Sequence, residues 1–372
     1  MNIALLSMYF HPVIGGAETY VLKLAEGLVK NGHQVSVLCS NRTPDGNILV
    51  KSESYKGISI VRSPLILRNQ GLYFPKMVND PDVVHICSYG FFHAYYSVLR
   101  YVAISKIITL IGGELFTSHT LQPKAIVNRV LDRTIGLGTL LLCDKVVALT
   151  EYEKDFVSAH YKPISRDKIT VLPLGVDEEL FNDPLSNGIH LEFDYFLILG
   201  RADKRKRFQD ALEAISYVPS VHLVWAGPIY DVAVKEELLG LAKRLNIVNR
   251  FHITGSVSDG IKKELIYNSL ALIVTGQEAF SIVAAEAAAC GKPVITNNLQ
   301  PMPEIIINGW NGLIYRFGDV EHLGRLISLI SSDQVLRREL GRNNRQLAEK
   351  KYRWPIIVRD TESLYKEVAS SS

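Results

Sequence analysis

Short β-branched runs alternate with longer helix-patterned stretches along almost the whole chain, and this alternation narrows the possible folds more than any other feature. Residues 2–7 read as a strand. Residues 17–30 read as a helix, because Val21, Leu24, Ala25 and Leu28 repeat at i, i+3, i+4 and i+7 on one face. Asn31-Gly32 stops that helix before a strand over 35–39. Further strands are predicted over 58–61, 83–86, 107–111, 146–149 and 169–172. The segment 173–194, punctuated by Pro, Gly, Asp and Asn, reads as a linker. Beyond it the rhythm restarts, with strands over 196–199, 223–226, 251–254, 271–274 and 293–296. Helices over 208–215, 232–245, 261–267 and 281–290 separate them.

Such alternation implies right-handed crossovers and parallel sheets. At 372 residues the chain has room for two domains. The expected fold class is therefore α/β, with two doubly wound Rossmann-like domains meeting at the linker. Ligands of such sheets bind at the carboxyl ends of the strands, and two such ends can face each other across a central cleft.

Composition removes several function classes. A formal charge of +3 is too small a surplus to argue for nucleic acid. Cys39, Cys87, Cys143 and Cys290 lie far apart in apolar surroundings and read as buried free thiols of a reducing compartment. The opening MNIALLSMYFHP lacks the basic region and long apolar core of a signal peptide. His85, His93, Arg100 and Lys106 interrupt the apolar stretch 83–113, so it does not read as a membrane span. The expectation is a cytoplasmic protein.

Chemistry concentrates in TGQEAFSIVAAEAAACGKPVIT, residues 275–296. A strand ends at Thr275-Gly276, Glu278 follows in the loop, and a helix begins near Phe280-Ser281. A helix start offers unbonded N–H groups and a positive dipole end, which suit phosphate. Glu286 lies about five residues into that helix, roughly 7–8 Å along its axis. Two carboxylates thus bracket a phosphate-binding helix start, placed to accept from hydroxyls on either side of a diphosphate. Taken alone, the segment is better explained as an ordinary helix of an α/β domain with one solvent-facing glutamate. The second signal is the strand over 196–199 running into Gly200-Arg201 and then Lys204, Arg205, Lys206 and Arg207. Arg offers a planar fork and Lys a point charge to a diphosphate. The third is Gly15-Gly16 at the end of the first strand-to-helix loop, where bare backbone can approach a ligand.

At these residues the chain resembles a known family. Glu278 and Glu286, eight positions apart and followed by CGKPVIT, look like the E-x7-E signature of retaining glycosyltransferases of the GT-B fold, family 4. GGAE at 15–18, PDVVH at 81–85, CDKVVALTEYEKD at 143–155 and VLPLGVDEELF at 171–181 fall in the family's order. So do LGRADKRKRF at 199–208, GSVSD at 255–259 and Arg353-Trp354. The resemblance implies an acceptor-binding domain over 1–175, a donor-binding domain over 176–353 and a helix over 354–372 returning to the first. It implies that Arg201 and Lys206 bind the diphosphate of a nucleotide-sugar donor, with Gly200 at the turn. Glu278 would then take the transferred sugar and Glu286 the ribose. Backbone N–H groups of Phe280, Ser281 and Ile282 would hold phosphate or sugar, with Gly15 and Gly16 opposite. The loop from Gly255 to Val257 would hold the base.

Three departures stand out. Ile111, followed by Gly112-Gly113-Glu114, occupies the place of a frequent His-Gly, and either Glu114 or His119 takes over part of that role or nothing does. Glu278-Ala279-Phe280-Ser281 replaces Glu-Gly-Phe-Gly, and Thr275-Gly276 replaces Pro-Ser. Asp80-Pro81-Asp82 precedes a strand and reads as a turn, not a metal motif. The expected reaction is hexose transfer with retention from a UDP or GDP sugar to a glycan or lipid-linked acceptor, with no tightly bound cofactor or metal. Basic and apolar residues over 62–76 and 122–142 suit a peripheral membrane contact, and core-facing helices explain them equally. A catalytically silent nucleotide-sugar binder and a nucleotide-sugar epimerase are the competing functions.

Overall fold

The computed structural model describes residues 1–67, 72–75, 80–89, 92–111, 130–183, 191–201 and 203–370. These fall into two compact units, Met1–Gly175 with Trp354–Ser372, and Val176–Arg353.

The first unit is built on an eight-stranded sheet. Its strands are β1 (Asn2–Leu6), β2 (Gln34–Ser40), β3 (Ser52–Tyr55), β4 (Ile58–Ser63), β7 (Val83–Ile86), β8 (Ser105–Thr109), β9 (Lys145–Ala148) and β10 (Ile169–Val171). A separate two-stranded ribbon pairs β5 (Leu65–Leu67) with β6 (Leu72–Tyr73). The order is β10-β9-β8-β7-β1-β2-β4-β3, parallel except where β3 runs antiparallel to β4. Central strands such as β7 and β8 are buried along their full length, as a sheet covered on both faces requires. On one face lie α1 (Gly16–Lys30) and the last helix of the chain, Trp354–Ser370, sharing a core with Ile3, Leu5, Val35 and Ile107. On the other lie α2 (Phe92–Arg100), α3 (Leu137–Leu142) and α4 (Glu151–His160), over Ala4, Leu6, Val84 and Val146.

The last helix is tied to this unit by polar contacts as well. The Tyr365 hydroxyl is 2.6 Å from His85 Nδ1, and the other ring nitrogen is 2.6 Å from Thr109 Oγ1. Burial lowers the His85 pKa to about 3, so the imidazole is neutral.

The second unit carries β11 (Tyr195–Leu199), β12 (His222–Ala226), β13 (Phe251–Gly255), β14 (Leu272–Val274), β15 (Val294–Asn297) and β16 (Gly312–Tyr315). Their order, β13-β12-β11-β14-β15-β16, is all parallel and reverses direction between β11 and β14. That reversal opens a crevice at the carboxyl ends of the two strands. The helices are α5 (Phe208–Ser216), α6 (Val232–Arg244), α7 (Asp259–Asn268), α8 (Ile282–Ala289), α9 (Met302–Ile305), α10 (Val320–Ser332) and α11 (Gln334–Lys351). The helix Trp354–Ser370 follows as α12. Trp225, Phe196 and Ile198 centre the second unit's core.

Two expectations are corrected here. The segment after residue 173 is not only a linker: Glu178–Phe181 forms a single 3-10 turn whose Leu180 and Phe181 are buried. The Arg345 and Arg353 guanidiniums lie 4.9 and 4.2 Å from the Phe181 ring centre, so residues distant in sequence hold this turn. Arg62 is no part of a membrane-facing surface. It is 1% exposed, and its guanidinium donates to Glu53, to His11 O at 2.6 Å and to Val50 O at 3.2 Å. Among the described residues no helix is long and apolar enough to cross a membrane.

Candidate active site

The crevice of the second sheet is floored by backbone. Strands β11, β12 and β13 each run into a glycine with positive φ: Gly200 at +127°, Gly227 at +154° and Gly255 at +70°. The Gly200 N–H donates to Ala226 O at 3.0 Å, and Gly200 O accepts from Trp225 Nε1 at 2.9 Å. The Gly227 N–H donates to Gly255 O at 2.9 Å. A Cβ on Gly227 would stand 2.0 Å from Gly200 O, so no larger residue fits without moving backbone. Sequence reasoning singled out Gly200 and Gly255 and missed Gly227, although Ala226-Gly227-Pro228 gives the same strand-end signal.

After Gly200 and the exposed Arg201, a 3-10 turn over Lys204–Lys206 sorts the basic residues. Lys204 pairs with Glu237 at 3.1 Å. Asp203 caps the turn by accepting from the Arg205 N–H and side chain, and the Arg205 hydrogen bond holds its pKa at about 2. Arg207 forks onto Asp210 at 2.8 and 2.9 Å. Lys206 alone of the four reaches the other side of the crevice, where its Nζ donates to Glu278 Oε1 at 2.5 Å.

The loop after β14 is fitted to that turn. Thr275 Oγ1 donates to Lys206 O at 2.6 Å. A Cβ on Gly276 would lie 2.5 Å from Arg205 O and 2.7 Å from Lys206 Cα. Asn297, fully buried at the end of β15, donates through Nδ2 to Thr275 O at 3.0 Å and Gly276 O at 2.9 Å. Thr275-Gly276 thus has a local reason: the hydroxyl ties the two loops and the bare Cα lets them touch. Asn297 is a further contributor that sequence reasoning missed, because its partner carbonyls lie 21 and 22 positions away.

Helix α8 starts at the same edge. Ser281 is its N-cap, and Ser281 O accepts from the Ala284 and Ala285 N–H groups at 3.1 Å each. The Ser281 hydroxyl is buried and has no protein partner among the described residues. Phe280 is buried edge-on to Tyr352, with ring centres 5.8 Å apart, which fixes the entry of the chain into the helix. Ala284, Ala285, Ala287, Ala288 and Ala289 are all buried, so small side chains let α8 sit tightly in the unit. At its first turn the Ile282 N–H donates to Phe280 O at 3.1 Å, so of the three N–H groups expected to meet a ligand this one already has a partner. Glu286 faces another way, accepting from Lys262 Nζ at 2.8 Å; Lys262 is also 3.3 Å from Asp259. Burial pushes the Glu286 carboxyl up, and Lys262 opposes that. Val257 is half-buried in the loop between Gly255 and α7.

The first unit supplies the remaining candidates. Gly15 caps α1 with φ −169°, an extended value open to any residue, and Gly16 begins the helix. The Glu18 carboxylate folds back over this start, 2.3 Å from where a Gly15 Cβ would be. Burial raises its pKa, while its own backbone N–H opposes the rise. Ile111, half-buried after β8, packs on the core of that face. Gly112, Gly113, Glu114 and His119 lie outside the described residues. Asp82 accepts from the Asn2 N–H at 2.7 Å, which places Asp80-Pro81-Asp82 at the amino end of the sheet, leading into β7.

Residues 14–180 match the family described as Glycosyltransferase Family 4, and residues 182–347 match Glycosyl transferases group 1. Together the two matches span nearly the whole chain. The chain belongs to this glycosyltransferase family. Its fold is GT-B. The glycosyltransferase is 24% identical over 379 residues to N-acetyl-alpha-D-glucosaminyl L-malate synthase of Bacillus anthracis, covering 96% of this chain and 95% of that one. Sucrose-phosphate synthase from Thermosynechococcus elongatus superposes with a TM-score of 0.83 over the full length of both chains, at 18% identity. Anabaena HepE, solved in complex with UDP-glucose, superposes with a TM-score of 0.73 at 17% identity, covering 100% of each chain.

Proposed function

We propose that the chain is a retaining hexosyltransferase, moving a hexose from a UDP sugar to a glycan or lipid-linked acceptor. The observation that carries this reading is the Lys206–Glu278 contact across the sheet's crevice, beside the start of α8. It sets a cation for phosphate next to a carboxylate for sugar hydroxyls. The glycine-ended strands leave room for a nucleotide, and HepE, which shares the fold, was solved with UDP-glucose. A GDP sugar is the alternative donor.

In this reading the second unit binds the donor and the first binds the acceptor. Arg201, Lys206 and the N–H groups of Phe280 and Ser281 hold the diphosphate, with Ile282, whose N–H donates to Phe280 O, beside them. Glu278 accepts from hydroxyls of the hexose, Glu286 from those of the ribose, and Gly255–Val257 flank the base. The acceptor hydroxyl attacks the anomeric carbon on the face from which the diphosphate departs. The bond from that carbon to the phosphate oxygen breaks, and the acceptor's proton passes to the leaving phosphate. Lys206, Arg201 and the α8 dipole stabilise the charge that grows on the diphosphate. The protein works in the cytoplasm, at the inner face of the membrane when the acceptor is lipid-linked.

Thermal melts against UDP, GDP and ADP sugars test the donor, because a ligand held only by the native state raises stability by mass action. A rise with UDP-glucose, followed by transfer to a sugar acceptor giving an equatorial anomeric proton by NMR, is expected. No rise with any nucleotide sugar sinks the reading. Binding without transfer or hydrolysis points instead to the silent partner, and acceptor-independent isomerisation to the epimerase.

A further inference from the structure

Glu286 is a buried carboxylate that the proposed chemistry needs in its ionised, hydrogen-bond-accepting form. Ionisation inside a protein is costly unless a partner compensates. The groups facing it come from three elements. Helix α7 presents Lys262 and Asp259, and Asp177 precedes the Glu178–Phe181 turn. From α11, Arg345 donates to Ala289 O and Phe181 O, and with Lys263 and Lys292 it acts on neighbouring Cys290. Both aspartates push the Glu286 carboxyl further up, and among the described residues Lys262 is the cation in hydrogen-bond contact with it. The side chains of Glu286 and Lys262 are 12% and 27% exposed, while Asp259 is 92% exposed and well hydrated. The contact engages Oε1 and leaves Oε2 for a ligand hydroxyl.

We infer that Lys262 is a positioning residue for donor binding, holding Glu286 as an acceptor-only carboxylate aimed at the nucleotide ribose. This rests on the donor-site reading above. Lys262 stands four residues after Ser258, whose hydroxyl accepts from the Ile261 N–H and caps α7. The same helix start therefore follows the base-flanking loop and carries the group that tunes the ribose contact. Nothing in the sequence links Lys262 to Glu286, since 24 positions separate them.

The test is UDP-glucose affinity, measured by titration calorimetry between about pH 6 and 9, where a buried unpaired glutamate titrates. The wild-type profile should be flat. Lys262→Met should bind about tenfold or more weakly near pH 6 and recover towards wild type near pH 9, because a bond to a charged acceptor is at stake. Lys262→Arg should restore the flat profile. Lys262→Met with Glu286→Gln should bind weakly at every pH with no recovery, since an amide does not titrate. Equal affinity of wild type and Lys262→Met throughout overturns the inference. So does a loss in Lys262→Met of the same size at every pH, which marks a merely structural role. A wild-type chain that binds none of UDP-, GDP- or ADP-glucose overturns the donor reading itself. If only GDP- or ADP-glucose binds, that sugar replaces UDP-glucose in the same series.

Discussion

In the second unit, three adjacent strands finish in glycines at positive φ, and the loops beyond them are cross-tied by Thr275, Asn297 and the Lys206–Glu278 pair. In the first, β1 leads through Ser7 to Ile14 before reaching Gly15, whose extended backbone makes no demand for glycine. Both sheets are doubly wound, yet among the described residues it is the second whose strand ends call for glycine, by positive φ at Gly200 and Gly255 and by the approach of Gly200 O at Gly227. Rigid, side-chain-free loops suit a ligand of constant shape, such as a nucleotide diphosphate. In the second unit, contact with neighbouring backbone fixes glycine at Gly227 and Gly276.

The comparison breaks most decisively at the ion pair. Lys206→Ala and Glu278→Ala should each lower kcat/KM about 10²- to 10³-fold, as removal of one preorganised charge does. The double variant should lose little more than either single one, because the two act as a unit. Initial rates with the chain's own donor check this, and near-normal rates in both single variants would discard the site. Glycine contrasts give the next largest effect. Gly227→Ala should destabilise the second unit by about 3 kcal/mol, combining strain with a clash against Gly200 O. Gly16→Ala meets nothing within 4 Å of its new Cβ and should stay within about 0.5 kcal/mol of wild type. Urea unfolding followed by tryptophan fluorescence tells them apart, and equal stability of the two variants would erase the distinction between the units.

The smallest effect concerns acid. His85 has a folded pKa of about 3 against 6.5 for the free imidazole. Below about pH 6.5 the unfolded state takes up a proton that the native state refuses, so stability falls as pH drops towards 3. At about pH 5 the loss is about 2 kcal/mol, at 1.36 kcal/mol per pKa unit. His85→Asn should be less stable than wild type at neutral pH yet show that much less sensitivity between about pH 7 and 5. Identical pH slopes in the two proteins would show that His85 does not set the acid limit of the first unit.

The α/β alternation was legible because buried parallel strands must be apolar runs, as Val83–Ile86 and Tyr195–Leu199 are. Strand β3 was not, since Ser52–Tyr55 is an exposed edge with no apolar face to betray it. The candidate site divides along the same line. Arg201, Lys206, Glu278 and Glu286 stand out by residue type and spacing. What each one touches does not: Lys262 on Glu286, Asn297 on Thr275 and the Gly227–Gly200 approach are meetings of residues that only the sheet order brings together. The Arg62 segment read either way for a related reason, because a charged residue among apolar ones looks the same whether its partners are water or the protein's own oxygens.

Helix α12 has one more consequence. Ile357, Val358, Leu364, Tyr365 and Val368 belong to the core that Ile3 and Leu5 begin, so along the polypeptide the second unit is an insertion within the first. A growing chain emerging from the ribosome has every residue of the second unit available before the first can close. The sheet that β1 and β2 begin is thus completed after the second unit has been made, and those strands wait, incompletely covered, for α12. Loss of a few carboxy-terminal residues would be felt at the opposite end of the sequence.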